Sequence, residues 1–136
     1  MAVLEFDGYR VDKMIYTRNE KFDLKTKSIN MTPNLNTSFD VKEDKINVSL
    51  NVVVGSTENT SVPFQAECSL TGIFTYKYEE DQTKVGLDTL VRNNAVAILY
   101  PYIRAIISTL SMTSNEFPNY NLPTINVGKV LKDQTN

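Results

Sequence analysis

Residues 62–78, VPFQAECSLTGIFTYKY, alternate between apolar and polar side chains along the whole stretch. The apolar side chains stand at the even positions, namely Val62, Phe64, Ala66, Cys68, Leu70, Phe74, Tyr76 and Tyr78. A period of two is typical of a β-strand with one buried face and one solvated face. The stretch therefore predicts a long strand. Gly72, which stands on the apolar face, predicts a bulge or a close approach.

The chain before this stretch continues the strand pattern. Residues 46–54 also alternate with a period of two, and residues 55–59, GSTEN, predict the hairpin connection to the next strand. Residues 4–16 alternate less cleanly, because the pattern slips across Gly8, and this predicts a strand with one or more bulges. Residues 30–37, NMTPNLNT, predict a loop that contains two apolar residues.

The chain after it changes to a helical pattern. Residues 98–126, ILYPYIRAIISTLSMTSNEFPNYNLPTIN, predict an apolar helix followed by a proline-rich loop. We expect the helix to run from about Asn94 to Thr113, with Asn93 or Asn94 as its N-cap. Pro101 lies inside the pattern and removes one backbone hydrogen bond, so a kink or a break is expected there.

The predicted helix carries two apolar stripes. The first consists of Ala95, Leu99, Tyr102, Ile106 and Leu110, with Ile98 and Ala105 beside it, and the second of Val96, Tyr100, Ile103 and Ile107. One stripe suffices to cover a sheet, so we expect the first to do so and the second to meet a partner. Strands followed by a helix predict an α+β fold with one antiparallel sheet and helices packed on one face.

Composition excludes several classes of function. The chain has 136 residues, 41% hydrophobic and 22% charged, which fits a single domain over residues 1–136. Its net charge of −2 argues against a nucleic-acid partner, because neutralised phosphates supply most of that affinity. No stretch approaches the roughly 20 apolar residues that span a bilayer, so no membrane insertion is expected.

The sequence also lacks the residues on which most catalysis depends. It contains no histidine, the commonest general base and metal ligand, and no glycine-rich phosphate loop. We therefore predict a protein that is not an enzyme and binds no cofactor or metal. Cys68 is the single cysteine, and the N-terminus has no secretory signal pattern, so a cytoplasmic location is expected.

Several short motifs resemble the SecB family of export chaperones. They cover nearly the whole chain and follow one another in the family's order: Ile15-Tyr16-Thr17, Gly72-Ile73-Phe74, Ile98-Leu99-Tyr100-Pro101-Tyr102-Ile103-Arg104 and Phe117-Pro118-Asn119-Tyr120-Asn121-Leu122-Pro123. The family has a GIF strand motif, a LFPYAR-like helix segment and an FP.LNL.P loop at similar spacing.

The resemblance implies a four-stranded antiparallel sheet with two helices on one face, in a homotetramer built as a dimer of dimers. It implies an ATP-independent holdase that binds unfolded polypeptides in apolar grooves for protein export. The grooves are lined by the loop after the first strand, by the helix and by the loop that follows it. In this chain the implied client-binding residues are Met31, Leu35, Tyr100, Ile103, Ile107, Phe117, Tyr120 and Leu122.

The resemblance is weaker where the export partner would bind. In family members the open sheet face docks the translocation ATPase SecA, and the matching positions here include Asp23, Gln65 and Glu67. Asn19 stands where an acid is expected, and the charged C-terminal tail is missing. Some SecB-like proteins instead serve the antitoxin of a toxin–antitoxin pair, so that role stays open, as does a purely structural oligomer whose second stripe only joins subunits.

Overall fold

The computed structural model describes residues 4–76, 94–117 and 120–123 of the chain. Within them lie four strands, β1 (Leu4–Arg18), β2 (Asn34–Lys42), β3 (Lys45–Gly55) and β4 (Phe64–Tyr76), and one helix, α1 (Val96–Thr113). The strands form one antiparallel sheet in the order β1-β4-β3-β2. The predicted antiparallel α+β sheet is thus confirmed. Of the two helices that the resemblance implies, one is found among the described residues.

The prediction of a loop over residues 30–37 is wrong for its second half. Residues 34–37 belong to β2, which pairs with β3 in unbroken register from Asn34↔Val53 to Lys42↔Lys45. Asparagine is a poor strand former in isolation, but pairing along a neighbouring strand outweighs that local preference. Leu35 then points to the side of the sheet that carries the core and is buried there.

The predicted irregularity of β1 is confirmed. Its pairing with β4 shifts between Phe6 and Gly8 and again between Val11 and Lys13. Each shift leaves an extra residue on β1, Asp7 at the first and Asp12 at the second, as in a β-bulge. Gly8 adopts a φ of 130° at the first shift, a conformation that glycine reaches without strain. The bulges explain why the apolar positions of β1 slip in the sequence.

Helix α1 is continuous through Pro101, so of the two expected outcomes there, a kink or a break, the break does not occur. A π turn at residues 94–95 precedes the regular helix. Ala95, directly before the helix, already has helical backbone angles and makes no side-chain cap hydrogen bond. The other predicted cap, Asn93, lies outside the described residues and stays a prediction.

The core lies between α1 and one face of the sheet. The apolar face of β3 and β4 is fully buried there together with Leu99, Ile103 and Ile107 of α1. Gly72 confirms the predicted close approach, because a Cβ atom on it would come within 2.7 Å of Leu99 Cδ2. By length and hydropathy alone α1 would suffice to cross a membrane, but core helices share this composition.

Candidate functional site

The two apolar stripes of α1 have exchanged the roles that the sequence suggested. The buried residues of the helix are Val96, Leu99, Tyr100, Ile103, Ile107 and Ser111, which is the second stripe with Leu99 and Ser111 added. The expectation that this stripe meets a partner is therefore wrong, because it packs on the sheet. Most of the first stripe lies on the outer side, where Tyr102 is 38% exposed and Ile106 and Leu110 are half-buried.

A short segment without regular secondary structure, residues 120–123, lies against α1 and is held there by hydrogen bonds to its main chain. The Tyr100 hydroxyl donates to the Pro123 carbonyl at 2.7 Å, and Arg104 Nε donates to the Leu122 carbonyl at 2.7 Å. The Tyr120 N–H donates to Ser111 Oγ at 2.6 Å. Leu122 itself is completely buried. The helix thus binds this segment largely through backbone groups, with one apolar side chain inserted.

The connection between β1 and β2, residues 19–33, meets the same segment from the other side. The Tyr120 hydroxyl donates to the Met31 carbonyl at 2.7 Å. The Phe22 and Phe117 rings meet edge to face with their centroids 5.8 Å apart. Burial raises the pKa of both Tyr100 and Tyr120 above the usual value for a phenol, so both hydroxyls stay protonated and donate at neutral pH.

Asn19 anchors the start of this connection. Its Nδ2 donates to the carbonyls of Asn59 and Val62, both at 2.8 Å, and its backbone N–H donates to the Pro63 carbonyl. The residue is buried, at 2% exposure. Asn19 therefore joins two loops within the chain, and its side chain does not face a partner. The amide fits this role because it donates two hydrogen bonds without a charge.

The eight predicted client-binding residues thus come together around one layer, but most of them are not open. Leu35, Tyr100, Ile103, Ile107 and Leu122 are buried in the core of the chain itself. Met31, Phe117 and Tyr120 are half-buried at its rim. The three predicted segments therefore meet around one layer, in which five of the eight side chains are buried within the chain itself, and the client-binding role of these residues stays a prediction.

An open apolar pocket lies elsewhere, between β1 and the outer side of α1. It has a volume of about 220 Å³ and is lined by Tyr9, Met14, Tyr102, Ala105, Ile106, Thr109 and Leu110. The Tyr9 and Tyr102 rings pack with their centroids 4.5 Å apart, and Met14 is 55% exposed. Tyr9 and Met14 were not predicted as site residues, because the bulges in β1 hide which of its residues face the helix. We call this surface the β1–α1 pocket.

The opposite face of the sheet is polar and held by its own hydrogen bonds. Asn51 Nδ2 and Lys13 Nζ both donate to Glu67 Oε2 at 3.0 Å, and together they lower the pKa of this carboxyl, Asn51 most. Asp12, at the second bulge, accepts from the Thr71 hydroxyl at 2.5 Å, which is the main cause of its lowered pKa. Within residues 4–76, 94–117 and 120–123, no three metal-ligating side chains converge.

Comparison with known families identifies the fold. The family model described as "Preprotein translocase subunit SecB" matches residues 16–136. The chain belongs to the SecB family. The resemblance drawn from the four motifs is thereby confirmed, and the family is one of chaperones, which are not enzymes.

Two solved structures share the fold of this SecB-family chain. The Mycobacterium tuberculosis Rv1957 SecB-like chaperone, in complex with a ChAD peptide from the Rv1956 HigA1 antitoxin, superposes with a TM-score of 0.71 at 16% identity, covering 90% of each chain. A Streptococcus agalactiae protein of unknown function superposes with a TM-score of 0.57 at 11% identity, covering 89% of this chain and 97% of that one. No curated protein sequence matches this chain.

The residues predicted to dock SecA differ in how available they are. Asp23 is exposed, but its Oδ1 accepts from the Lys25 N–H at 2.9 Å in a local turn. Gln65 and Glu67 are half-buried on the polar sheet face, as their odd positions in β4 predict, and Glu67 is paired with Lys13. Gln65 and Glu67 share the open side of the sheet, whereas Asp23 lies in the β1–β2 connection.

Proposed function

We propose that this SecB-family chain is an ATP-independent holdase that binds unfolded or non-native polypeptides and keeps them soluble for export. The observation that carries the proposal is the meeting of three segments, the β1–β2 connection, α1 and residues 120–123, around one apolar layer. Met31, Phe117 and Tyr120 form its accessible rim. Burial of client side chains there would contribute about 25 cal/mol per Å² over many weak contacts.

The test is suppression of aggregation of a chemically denatured client, followed by light scattering. We expect Met31→Asp and Phe117→Asp to reduce protection at least several-fold, because a charge at the rim opposes burial of apolar client surface. Phe39→Asp is the matched control, since Phe39 is 40% exposed on β2 outside the rim. If both rim variants protect as well as the wild type and the control, clients bind elsewhere.

A dedicated antitoxin chaperone is the second candidate. The similarity to the M. tuberculosis SecB-like chaperone bound to an antitoxin peptide favours it. A toxin–antitoxin pair in the neighbouring genes, together with protection of that antitoxin but not of unrelated denatured clients, would favour this role over general export. A protein that assembles but protects neither client would instead be a structural oligomer.

We further propose a homotetramer, a dimer of dimers, in the cytoplasm. The β1–α1 pocket supports a contact between copies, because Tyr9, Met14 and Tyr102 leave an apolar surface exposed beside a sheet edge. The family also implies a second helix packed beside α1. Sedimentation of the wild type and of Met14→Asp would test the assembly, with dissociation expected for the variant.

For export, Asp23, Gln65 and Glu67 are the proposed contacts with SecA. Pull-down with SecA should weaken for Asp23→Asn combined with Glu67→Gln. Equal retention of SecA by this double variant would exclude these side chains as the contact.

A further inference from the structure

Residues 120–123 contact α1 in the way that a bound peptide contacts its receptor. Three helix side chains, Tyr100, Arg104 and Ser111, bind backbone atoms of the segment at 2.6–2.7 Å. Positions 100, 104 and 111 lie on one side of a helix, because position 104 follows position 100 by about one turn and position 111 follows position 104 by about two turns. Backbone atoms are common to all polypeptides, so this side of the helix is suited to bind an extended chain of almost any sequence.

The selectivity of these contacts comes from a single apolar position. Leu122 is completely buried, whereas its neighbours Asn121 and Pro123 are exposed. Tyr120 adds one contact outside the helix, from its hydroxyl to the Met31 carbonyl. The chemistry therefore fits an extended segment with one large aliphatic side chain between polar or exposed residues.

We propose that Tyr100, Arg104 and Ser111 form a binding site for extended polypeptide main chain. The chain's own residues 120–123 occupy this site as an intramolecular ligand, and a client segment binds by displacing them. The inference rests on the proposed holdase function. Client affinity is then set by competition with the internal ligand. Because a client binds only molecules whose site is open, its apparent Kd equals the intrinsic Kd divided by the fraction of open molecules.

The competition can be measured with a fluorescein-labelled peptide of residues 114–126, SNEFPNYNLPTIN, by fluorescence anisotropy on the full chain. A matched pair of Tyr→Phe variants separates the two sides of the contact, since each removes one hydroxyl that donates at 2.7 Å to a carbonyl. Tyr120→Phe weakens only the internal ligand, because the added peptide keeps its own tyrosine. It should bind the peptide roughly three- to ten-fold tighter than the wild type, as expected for one lost hydrogen bond.

Tyr100→Phe removes a donor that serves the internal ligand and the added peptide alike. The two losses offset each other, so the peptide should bind no tighter than to the wild type. Leu122→Ala should bind it at least ten-fold tighter, and a peptide carrying the same Leu122→Ala change should compete poorly. If Leu122→Ala fails to fold, as judged by circular dichroism, the tyrosine pair alone decides the question.

Equal peptide affinity of Tyr120→Phe and the wild type, with both proteins folded, would overturn the inference. The inference would also be overturned if Tyr100→Phe bound the peptide more tightly than the wild type and as tightly as Tyr120→Phe. Protection of a denatured client, measured in parallel, separates the two proposals. Wild-type protection without the predicted peptide pattern refutes the internal ligand and keeps the holdase. The predicted peptide pattern without protection of any client keeps the site and refutes the holdase.

Discussion

Truncation of Ile103 and of Ile106 tests which face of α1 covers the sheet. Ile103 is completely buried, whereas Ile106 is half-buried and lines the β1–α1 pocket. Ile→Ala removes three carbon atoms, worth about 0.8 kcal/mol each when fully buried, and the cavity left behind adds to this loss. We expect Ile103→Ala to lower the free energy of unfolding by roughly 2–5 kcal/mol and Ile106→Ala by less than about 1.5 kcal/mol.

The assay is urea unfolding followed by far-UV circular dichroism, with the slope of the transition held as a check on two-state behaviour. It should be repeated over a hundred-fold range of protein concentration, because association stabilises by mass action. The loss for Ile103→Ala should be the same at every concentration. An additional loss for Ile106→Ala that grows with concentration would place its side chain between copies of the chain. A larger loss for Ile106→Ala than for Ile103→Ala in dilute protein would refute the assigned faces.

Three further predictions concern the packing of the sheet and its polar face. Gly72→Ala should lower the free energy of unfolding by roughly 1–3 kcal/mol, because its Cβ would come within 2.7 Å of Leu99 Cδ2 and within 2.8 Å of Phe74 Cε1. The same change should cost less in a Leu99→Ala background, and an equal cost in both backgrounds would mean that Leu99 is not the obstacle. Asn19→Asp should lower the free energy of unfolding by roughly 1–3 kcal/mol, because a carboxylate cannot donate to the Asn59 and Val62 carbonyls. The same variant should not retain more SecA than the wild type does. Stronger SecA binding by a fully stable Asn19→Asp protein would contradict the buried, structural role. Glu67→Gln should reduce stability at neutral pH, because the pKa of Glu67 is lower in the folded than in the unfolded chain. The stabilisation by the Glu67 carboxylate is present above the unfolded pKa near 4.5 and is lost as the pH falls through the lower folded value. The stability difference from wild type should therefore shrink below about pH 4.5, and a difference that persists in acid would exclude this charge as its cause.

Much of the fold follows from periodicity in the sequence. The alternation in residues 46–54 and 62–78 predicted β3 and β4, and the slip across Gly8 predicted the bulged β1. β2 was not predicted from periodicity, because residues 34–37 are rich in asparagine and their strand conformation depends on pairing with β3. Local preference decides a segment when it is strong, but a weak preference yields to neighbours that the sequence does not place in space.

The candidate site depends on tertiary contacts even more than the fold does. The motifs identified the family, and they named the three segments that meet around Met31, Tyr100 and Leu122. They could not tell which stripe of α1 faces the sheet, because both stripes are apolar and the hydrophobic effect is not directional. They also gave no sign that Tyr100, Arg104 and Ser111 bind main-chain atoms, since hydrogen-bond partners 9 to 23 residues away leave no periodic pattern.

By itself, therefore, the sequence determined the antiparallel sheet, the apolar helix, the SecB family and the absence of histidine chemistry. Only the tertiary structure decided that Ile103 and Ile107 pack inward, that the β1–α1 pocket leaves apolar side chains open within the described part of the chain, and that residues 120–123 lie along the helix. The physical reason is that periodicity reports how a segment divides its own apolar and polar faces. Which apolar face is covered, and by what, depends on contacts such as Leu99 against Gly72, which form only when distant segments come together.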